Sequence, residues 1–491
     1  MRWLRPTRNR LQSYCVINAP SCLQADRKTP CAYCARGVDA FAVRQLLIRA
    51  AARSIDIQSY IWHADLTGSL MLDELAAAAT RGVQVRLLLD DNGIDGLDGR
   101  LWKLDELPNF KFRIFNPFPS RRWKWLGFLT DFGRLNRRMH SKSFSVDDTA
   151  TIIGGRNIGD EYFDGREHAV FANLDALCIG PIVGEVGSSF ESFWSHPASI
   201  PIGELVRNSS PPSIDESRTA DEGGRHIERY QQRVSRAPIQ HEIEGGVIAF
   251  EKAKLRLATD SPEKIATPLN EVETMPESLQ VGLDAIIGQP ARELLIVSGY
   301  FAPTDEGAKH LCNLARGGVD ISILTNSYAS TDVGVVHAGY AKWRRPLFDA
   351  GVKLYELPSL DDAPKTAGKI VRFGSGPDKG DYSATLHAKA FVIDRKRLFV
   401  GSLNMDPRSF SLNTEIGIII EDDEISRTSA EMFIEGVESG TYALVSQAGN
   451  GLGWIDQRDD RPNIEIVEPG TTRLSRFAIS MISKLQIDGL L

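Results

Sequence analysis

The apolar pattern of the chain occurs twice. Ser54–Trp62 (SIDIQSYIW) and Glu293–Phe301 (ELLIVSGYF) are apolar runs ending near an aromatic, as buried strands do. A stretch with helical spacing follows each run, LMLDELAAAATRG in the first case. A second apolar run comes next: RGVQVRLLLDDNG (Arg81–Gly93) and GGVDISILTNSYA (Gly317–Ala329). The two series lie roughly 240 residues apart, far beyond a solenoid period, so the pattern predicts a duplicated domain. Alternating strands and helices predict an α/β fold with mixed, mostly parallel sheets and helices on their faces.

Patterning also suggests the boundaries. Residues 1–36 form an N-terminal extension, 37–200 a first domain and 245–450 a second. Residues 201–244 are polar and rich in Ser, Pro and charge, which predicts a linker with one amphipathic helix around His226–Val234. Residues 451–491 form a tail. PSLDDAPKTAGKIVRFGSGPDKGDYSA, from Pro358, predicts a long loop bordering the functional site.

Composition narrows the function. Apolar content of 42% and charged content of 25% are those of an ordinary globular protein. A net charge of −7 argues against a protein whose main task is neutralising nucleic-acid phosphates. No apolar run reaches the roughly 18–20 residues that cross a bilayer, and the basic N-terminus lacks the apolar segment of a secretory signal. Cys15, Cys22, Cys31 and Cys34 fall within twenty positions, compatible with either a small zinc site or an unstructured reduced extension. Cys178 and Cys312 sit in apolar surroundings and are expected in the core.

The chemistry resides in a second repetition. His140–Asn157 reads HSKSFSVDDTATIIGGRN and His387–Asn404 reads HAKAFVIDRKRLFVGSLN. From each histidine, lysine comes at +2 (Lys142, Lys389), aspartate at +7 (Asp147, Asp394), glycine at +14 and asparagine at +17 (Asn157, Asn404). One copy arises by chance often enough to mean little, whereas two copies matched at every polar position do not. Lysines and asparagines donate to the non-bridging oxygens of a phosphodiester and offset transition-state charge. One neutral histidine can attack phosphorus while the other, protonated, supplies the departing alkoxide with a proton. Strand alternation lets each histidine and its lysine address one ligand and turns Asp147 and Asp394 to the opposite face, where they brace the fold. Each histidine also needs an acceptor for its second ring nitrogen. Glu415 (SLNTEIGI) is expected to serve the second half and Asp175 (FANLDALCIG) the first.

These cassettes resemble the paired HKD motifs of the phospholipase D superfamily, from about residue 37 to the C-terminus. The resemblance implies two lobes about a pseudo-twofold axis, one shared active site without metal or cofactor, and a phosphohistidine intermediate. It implies a catalytic set of His140, Lys142 and Asn157 with His387, Lys389 and Asn404, and His140 as nucleophile. LTDFGRLNRRMHSKSFSVDD, GGRNIGDEYF, TDVGVVHAGYAKWRRPLFDAGVKLYEL and the terminal KLQIDGLL are similar to the bacterial cardiolipin synthase C subgroup. That subgroup implies phosphatidyl transfer onto phosphatidylglycerol, with phosphatidylethanolamine a candidate second substrate. With neither a signal segment nor a spanning helix seen, a peripheral location at the cytoplasmic face of a bacterial inner membrane is expected. Hydrolytic phospholipase D and, less favoured, nuclease activity are the alternatives. Donor identity and any small partner protein stay open, and no nucleic-acid partner is expected.

Four further features bear on substrate access. Arg121–Arg138 interleaves six basic residues with Trp123, Trp125, Phe128 and Phe132, a composition suited to a membrane interface. The tail TRLSRFAISMISKLQIDGLL suits either an interfacial amphipathic helix or packing on the core. Thr331, Asp332, His337 and Tyr340 are, by the subgroup resemblance, candidates for head-group recognition, with a structural histidine as the ordinary reading of His337. His63 follows a strand end expected to point toward the site.

Overall fold

The computed structural model describes residues 28–121, 123–166, 169–206, 220–245, 250–272, 279, 289–359, 383–447, 451–458 and 464–483. The first half contributes β1 (Lys28–Cys34), β2 (Ser54–Ile61), β3 (Gln84–Gly93), β4 (Phe110–Phe115), β5 (Ser143–Val146), β6 (Ala150–Gly154), β7 (Ala169–Ala172), β8 (Asp175–Ile179) and β9 (Ser199–Pro201). The second contributes β10 (Glu251–Thr259), β11 (Glu293–Ser298), β12 (Asp320–Asn326), β13 (Lys353–Leu357), β14 (Ser383–Leu386), β15 (Lys389–Ile393), β16 (Arg397–Gly401) and β17 (Ile416–Glu421). β18 (Tyr442–Ser446), β19 (Leu452–Asp456) and β20 (Ile464–Glu465) extend its edge.

The duplication is visible in the pairing. In the first half the order is β4-β3-β2-β5-β6-β8, and in the second β13-β12-β11-β15-β16-β17. β1 pairs with β8, β10 pairs with β17, and β1 pairs antiparallel with β10, so the pseudo-twofold axis runs between these two strands. Among the described residues, one continuous sheet of 18 strands results.

Parallel pairing is confined within this sheet to β2-β3-β4 and β11-β12-β13, and antiparallel pairs outnumber parallel ones, contrary to the mostly parallel expectation. The reason lies in the cassettes, which fold as tight hairpins. Asp147 and Asp148 have φ of 54° and 51°, and Asp394 and Arg395 have 53° and 54°. Adjacent positive φ values make a turn whose twist suits an antiparallel hairpin, and aspartate tolerates that region better than most residues. Asp147 Oδ1 accepts from the amides of Arg53 (2.7 Å) and Ser54 (2.8 Å), and Oδ2 from Ala52 (2.8 Å). Asp394 does the same for Ala291, Arg292 and Glu293 at 2.8–3.0 Å. These carboxylates tie each hairpin to the preceding strand and bond to neither cassette histidine.

Two boundaries move. Lys28–Cys34 is an integral strand, so the first repeat begins before residue 37, as β10 begins the second. Cys31 packs with Ile153 and Cys178, whereas Cys34 packs with Val38 and Phe41 on the other face. Residues three apart in a strand point oppositely, so these two thiols cannot share a metal ion. Burial also pushes them up, to about 11 for Cys31 and about 12 for Cys34, leaving protonated thiols. Cys15 and Cys22 lie outside the described residues. The expected linker also carries structure: a helix at Ala220–Ser235 buries Tyr230 and Val234 against the first half, and Tyr230 meets Phe41 edge-on at 5.3 Å. The spacing of His226, Tyr230, Arg233 and Val234 gives this helix one face, and that face docks beside Gly165, Phe163 and Asp164.

Candidate active site

Each cassette histidine precedes a strand that pairs with the carboxyl end of a parallel strand: Ser143 opposes Gln58 on β2, and Lys389 opposes Ser298 on β11. Ligand sites of open α/β sheets form at this edge. Each histidine is then fastened to the opposite half. The His140 amide donates to the Thr414 carbonyl (2.9 Å), and the His387 amide donates to that of Ala172 (2.8 Å). β7 and β14 add a parallel two-stranded sheet between the halves. The site therefore assembles only when the halves meet.

His140 and His387 are 6% and 4% exposed, and Lys142 and Lys389 are equally buried beside them. Lys142 donates to the His140 carbonyl (2.6 Å) and Lys389 to that of His387 (2.5 Å). Tyr60 meets His140 edge-on at 5.0 Å and Tyr300 meets His387 at 5.9 Å. Tyr162 and Phe171 also line His387, at 5.3 and 5.1 Å. Asn157 donates to Tyr162 Oη (2.8 Å), and the buried Asn404 Oδ1 has no partner among the described residues. Burial holds both histidines well below the ordinary range, and the two lysines add to the effect. Both rings are thus neutral near pH 7. Burial brings Lys142 down to about 7, and burial together with Lys142 holds Lys389 well below the usual lysine range.

The expected acceptors need correction. Glu415 does not hold the histidine of its own half: both its oxygens face His140 Nδ1, at 2.8 and 2.9 Å. Ser402 Oγ donates to the same carboxylate, the Glu415 amide is fixed by Asp260 Oδ2 at 2.9 Å, and burial pushes the Glu415 carboxyl up to about 7. Asp175 holds no histidine. It is wholly buried under Arg44 (2.8 Å) and Arg156 (3.3 Å), an internal ion pair. In the register, Asp175 pairs with Gly154 and Gly417 pairs with Gly401, so the residue equivalent to Glu415 is Asn173, two positions before Asp175. Asn173 Nδ2 lies 3.0 Å from His387 Nδ1. Asp175 follows Gly154 by 21 positions and Gly417 follows Gly401 by 16, which hid the match in the sequence.

Sequence reasoning missed Asp90, and the remaining candidates fall as follows. Buried Asp90 takes Arg138 (2.6 Å) and the Met139 amide (2.9 Å), setting the peptide that enters His140. Asp332, which is exposed, accepts from Tyr300 Oη (2.7 Å) and acts electrostatically on Lys389. His337 and Tyr340 are buried: His337 Nε2 is bonded to Glu468 (2.6 Å), and Arg344 joins Glu468 (2.6 Å) to Glu356 (2.8 Å). His63, partly exposed, bonds Glu161 (2.9 Å), which raises its pKa. Residues 360–382 and the terminal 484–491 lie outside the described residues.

Residues 45–194 and 283–436 match the family model "Cardiolipin synthase, PLD-like domain", one stretch in each half. This chain belongs to the phospholipase D-like cardiolipin synthase family. Cardiolipin synthase C of Escherichia coli is 38% identical over 93% of this chain and 95% of its own. An uncharacterized Helicobacter pylori protein is 33% identical over 80% of this chain and 76% of its own. Among solved structures, phosphatidylserine synthase of Haemophilus influenzae superposes with a TM-score of 0.56 at 14% identity, covering 98% of this chain and 99% of that one, a likeness of fold. In this cardiolipin synthase family member, no helix among the described residues is long and apolar enough to cross a membrane.

Proposed function

We propose that this protein is a phosphatidyltransferase that makes cardiolipin from phosphatidylglycerol and a second phospholipid, phosphatidylethanolamine being a candidate. The carrying observation is the buried pair of histidines whose Nδ1 atoms meet opposite chemistry, a carboxylate at His140 and an amide donor at His387. A carboxylate accepts the Nδ1 proton of neutral His140 and leaves a lone pair on Nε2. That nitrogen attacks the donor phosphorus, forming a phosphohistidine and expelling the head-group alcohol, to which His387 gives a proton. A hydroxyl of phosphatidylglycerol then attacks the phosphohistidine and loses its proton to His387. Lys142, Lys389, Asn157 and Asn404 donate to the phosphoryl oxygens as charge develops.

Access from one side of a membrane fits the surface. Trp123, Trp125, Leu126, Leu129 and Phe132 are exposed on the segment that leaves β4 for His140. Leu474, Phe477 and Met481 are exposed on the helix Arg473–Ile482, which packs on the helix Gly334–Ala341 following β12. The first group follows the carboxyl end of β4, and the second packs on a helix that follows the carboxyl end of β12. The basic residues expected to meet lipid are paired with carboxylates: Arg121 with Asp91 and Asp98 and Arg138 with Asp90 toward the interior, Lys124 with Asp95 and Arg134 with Asp131 at the surface. Arg122 is outside the described residues. Apolar insertion thus carries the membrane reading, at the cytoplasmic face of a bacterial inner membrane.

The test uses purified protein in mixed micelles of phosphatidylglycerol and phosphatidylethanolamine, with products separated by mass. Cardiolipin from the wild type, and none from His140→Ala or His387→Ala, is expected. Phosphatidic acid alone would replace this reading with a hydrolase, and no lipid turnover would turn attention to nucleic-acid substrates.

A further inference from the structure

The two lysines look alike in sequence but differ in their relation to the histidines. Lys142 Nζ bonds the His140 carbonyl, while His140 Nδ1 is occupied by Glu415. Lys389 Nζ bonds the His387 carbonyl and also lies 3.0 Å from His387 Nδ1. Asn173 Nδ2 is the other neighbour of that nitrogen, and its amide is held in one orientation because Asn173 Oδ1 accepts from the Leu174 amide at 2.9 Å. An ammonium and an amide NH2 are donors only. His387 Nδ1 is therefore an acceptor, and the ring proton sits on Nε2.

A neutral imidazole with its proton on Nε2 is a poor acid toward an alkoxide unless Nδ1 gains a proton as Nε2 loses one. We infer that Lys389 is the proton source for the departing alcohol and that His387 is the conduit. As the bond from phosphorus to the head-group oxygen breaks, the Nε2 proton passes to that oxygen and one Lys389 ammonium proton passes to Nδ1. Lys389 becomes a neutral amine, His387 becomes the other neutral tautomer with a lone pair on Nε2, and the alcohol leaves uncharged. In the second half-reaction the incoming hydroxyl gives its proton to Nε2, and Nδ1 returns a proton to Lys389. The cycle closes with no net proton gained or lost. Asn173 is a positioning residue that holds the starting tautomer. This inference deepens the transferase reading and rests on it for His140 as nucleophile.

The surroundings favour this route over a resting imidazolium. His387 is faced by Lys389, Lys142, His140 and Arg156, all of which disfavour a positive ring, and by Tyr162, Phe171 and Tyr300, which carry no charge near neutrality. Lys389 is faced by Lys142 and by the carboxylates Glu415, Asp332 and Asp406. Burial and the neighbouring cation make its ammonium a readier acid than an exposed lysine, while those carboxylates keep the charged form available.

Leaving groups separate proton supply from charge stabilisation. The donors are phosphatidylglycerol and phosphatidyl-p-nitrophenol, whose phenolate departs without a proton. Lys389→Arg keeps a cation that does not deprotonate. It is expected to lose roughly 100-fold or more on phosphatidylglycerol beyond its loss on the nitrophenyl donor, the scale of general acid catalysis. Lys142→Arg is expected to lose equally on both. Equal losses for Lys389→Arg would overturn the inference. Should that variant misfold, 15N spectra of histidine-labelled wild-type protein at neutral pH provide the decision. An unprotonated Nδ1 on His387, converted to a protonated one by Asn173→Asp, is expected, and a protonated Nδ1 in the wild type would overturn the inference. The spectra need no turnover, so absence of cardiolipin from the wild type would reject the transferase reading separately.

Discussion

Glu415 and Asn173 occupy equivalent positions about the pseudo-twofold axis, and each reaches across it to the histidine of the other half. Glu415 meets His140 Nδ1 at 2.8 Å and Asn173 meets His387 Nδ1 at 3.0 Å. One is an acceptor and the other a donor, so a nearly symmetric scaffold carries an asymmetric pair. Glu415→Gln keeps the size and the backbone bond to Asp260 but removes the carboxylate. It is expected to lower kcat by about 10²–10⁴ with little change in KM, as loss of a histidine-orienting carboxylate does elsewhere. A fall of less than tenfold would remove Glu415 from this position in the mechanism.

The same carboxylate sets the acid limb of the pH profile. Burial raises Glu415 to about 7, so falling pH protonates it and removes the acceptor that keeps the His140 Nε2 lone pair free. Burial lowers Lys142 to about 7, so rising pH removes a cation from the phosphoryl oxygens. kcat/KM is expected to peak near neutrality and fall on both sides, with the acid limb lost in Glu415→Gln. A flat profile from about pH 6 to about pH 8 would contradict this account.

Asp175 belongs to a different category, despite its place beside the site. Asp175→Asn leaves Arg44 and Arg156 buried without their carboxylate, a loss on the order of 3–5 kcal/mol. Chemical denaturation is expected to show that destabilisation, while the folded fraction keeps the wild-type pH profile. A shifted profile would mean that Asp175 tunes the chemistry after all.

Gly299 is required by close approach. A Cβ built there falls 2.0 Å from the Leu386 carbonyl oxygen, the residue before His387. Backbone cannot yield as a side chain can, so Gly299→Ala must displace the histidine. Misplacing a reacting group by an ångström costs about 100-fold, and kcat in the micellar assay is expected to fall by that order. Wild-type kcat in this variant would show that the loop moves freely.

The exposed apolar groups are expected to govern membrane binding and leave the chemistry alone. Leu129 and Phe477 are 75% and 64% exposed. A large side chain moved from water into an apolar phase contributes about 1.5–3 kcal/mol, so Leu129→Ser with Phe477→Ser is expected to weaken binding to phosphatidylglycerol vesicles more than tenfold. Turnover of a short-chain soluble donor is expected to persist. Unchanged vesicle sedimentation would place the contact elsewhere.

The sequence by itself determined the duplication, the two cassettes and the residue types they carry. These were legible because strand alternation and hairpin length are local, so spacing survives from one copy to the other. The His–Lys pairs at +2 and the bracing aspartates at +7 follow from a few residues of strand and one turn. Only the tertiary structure decided the partners. Glu415 serves the histidine of the opposite half, Asn173 is its counterpart, and Asp175 is consumed by Arg44 and Arg156. Those relations depend on β1 and β10 joining the halves into one sheet and on unequal loops before β8 and β17. The fate of Arg121, Lys124 and Arg138 was hidden for the same reason: a basic run shows its charges in sequence, but distant carboxylates decide whether those charges face lipid or the interior.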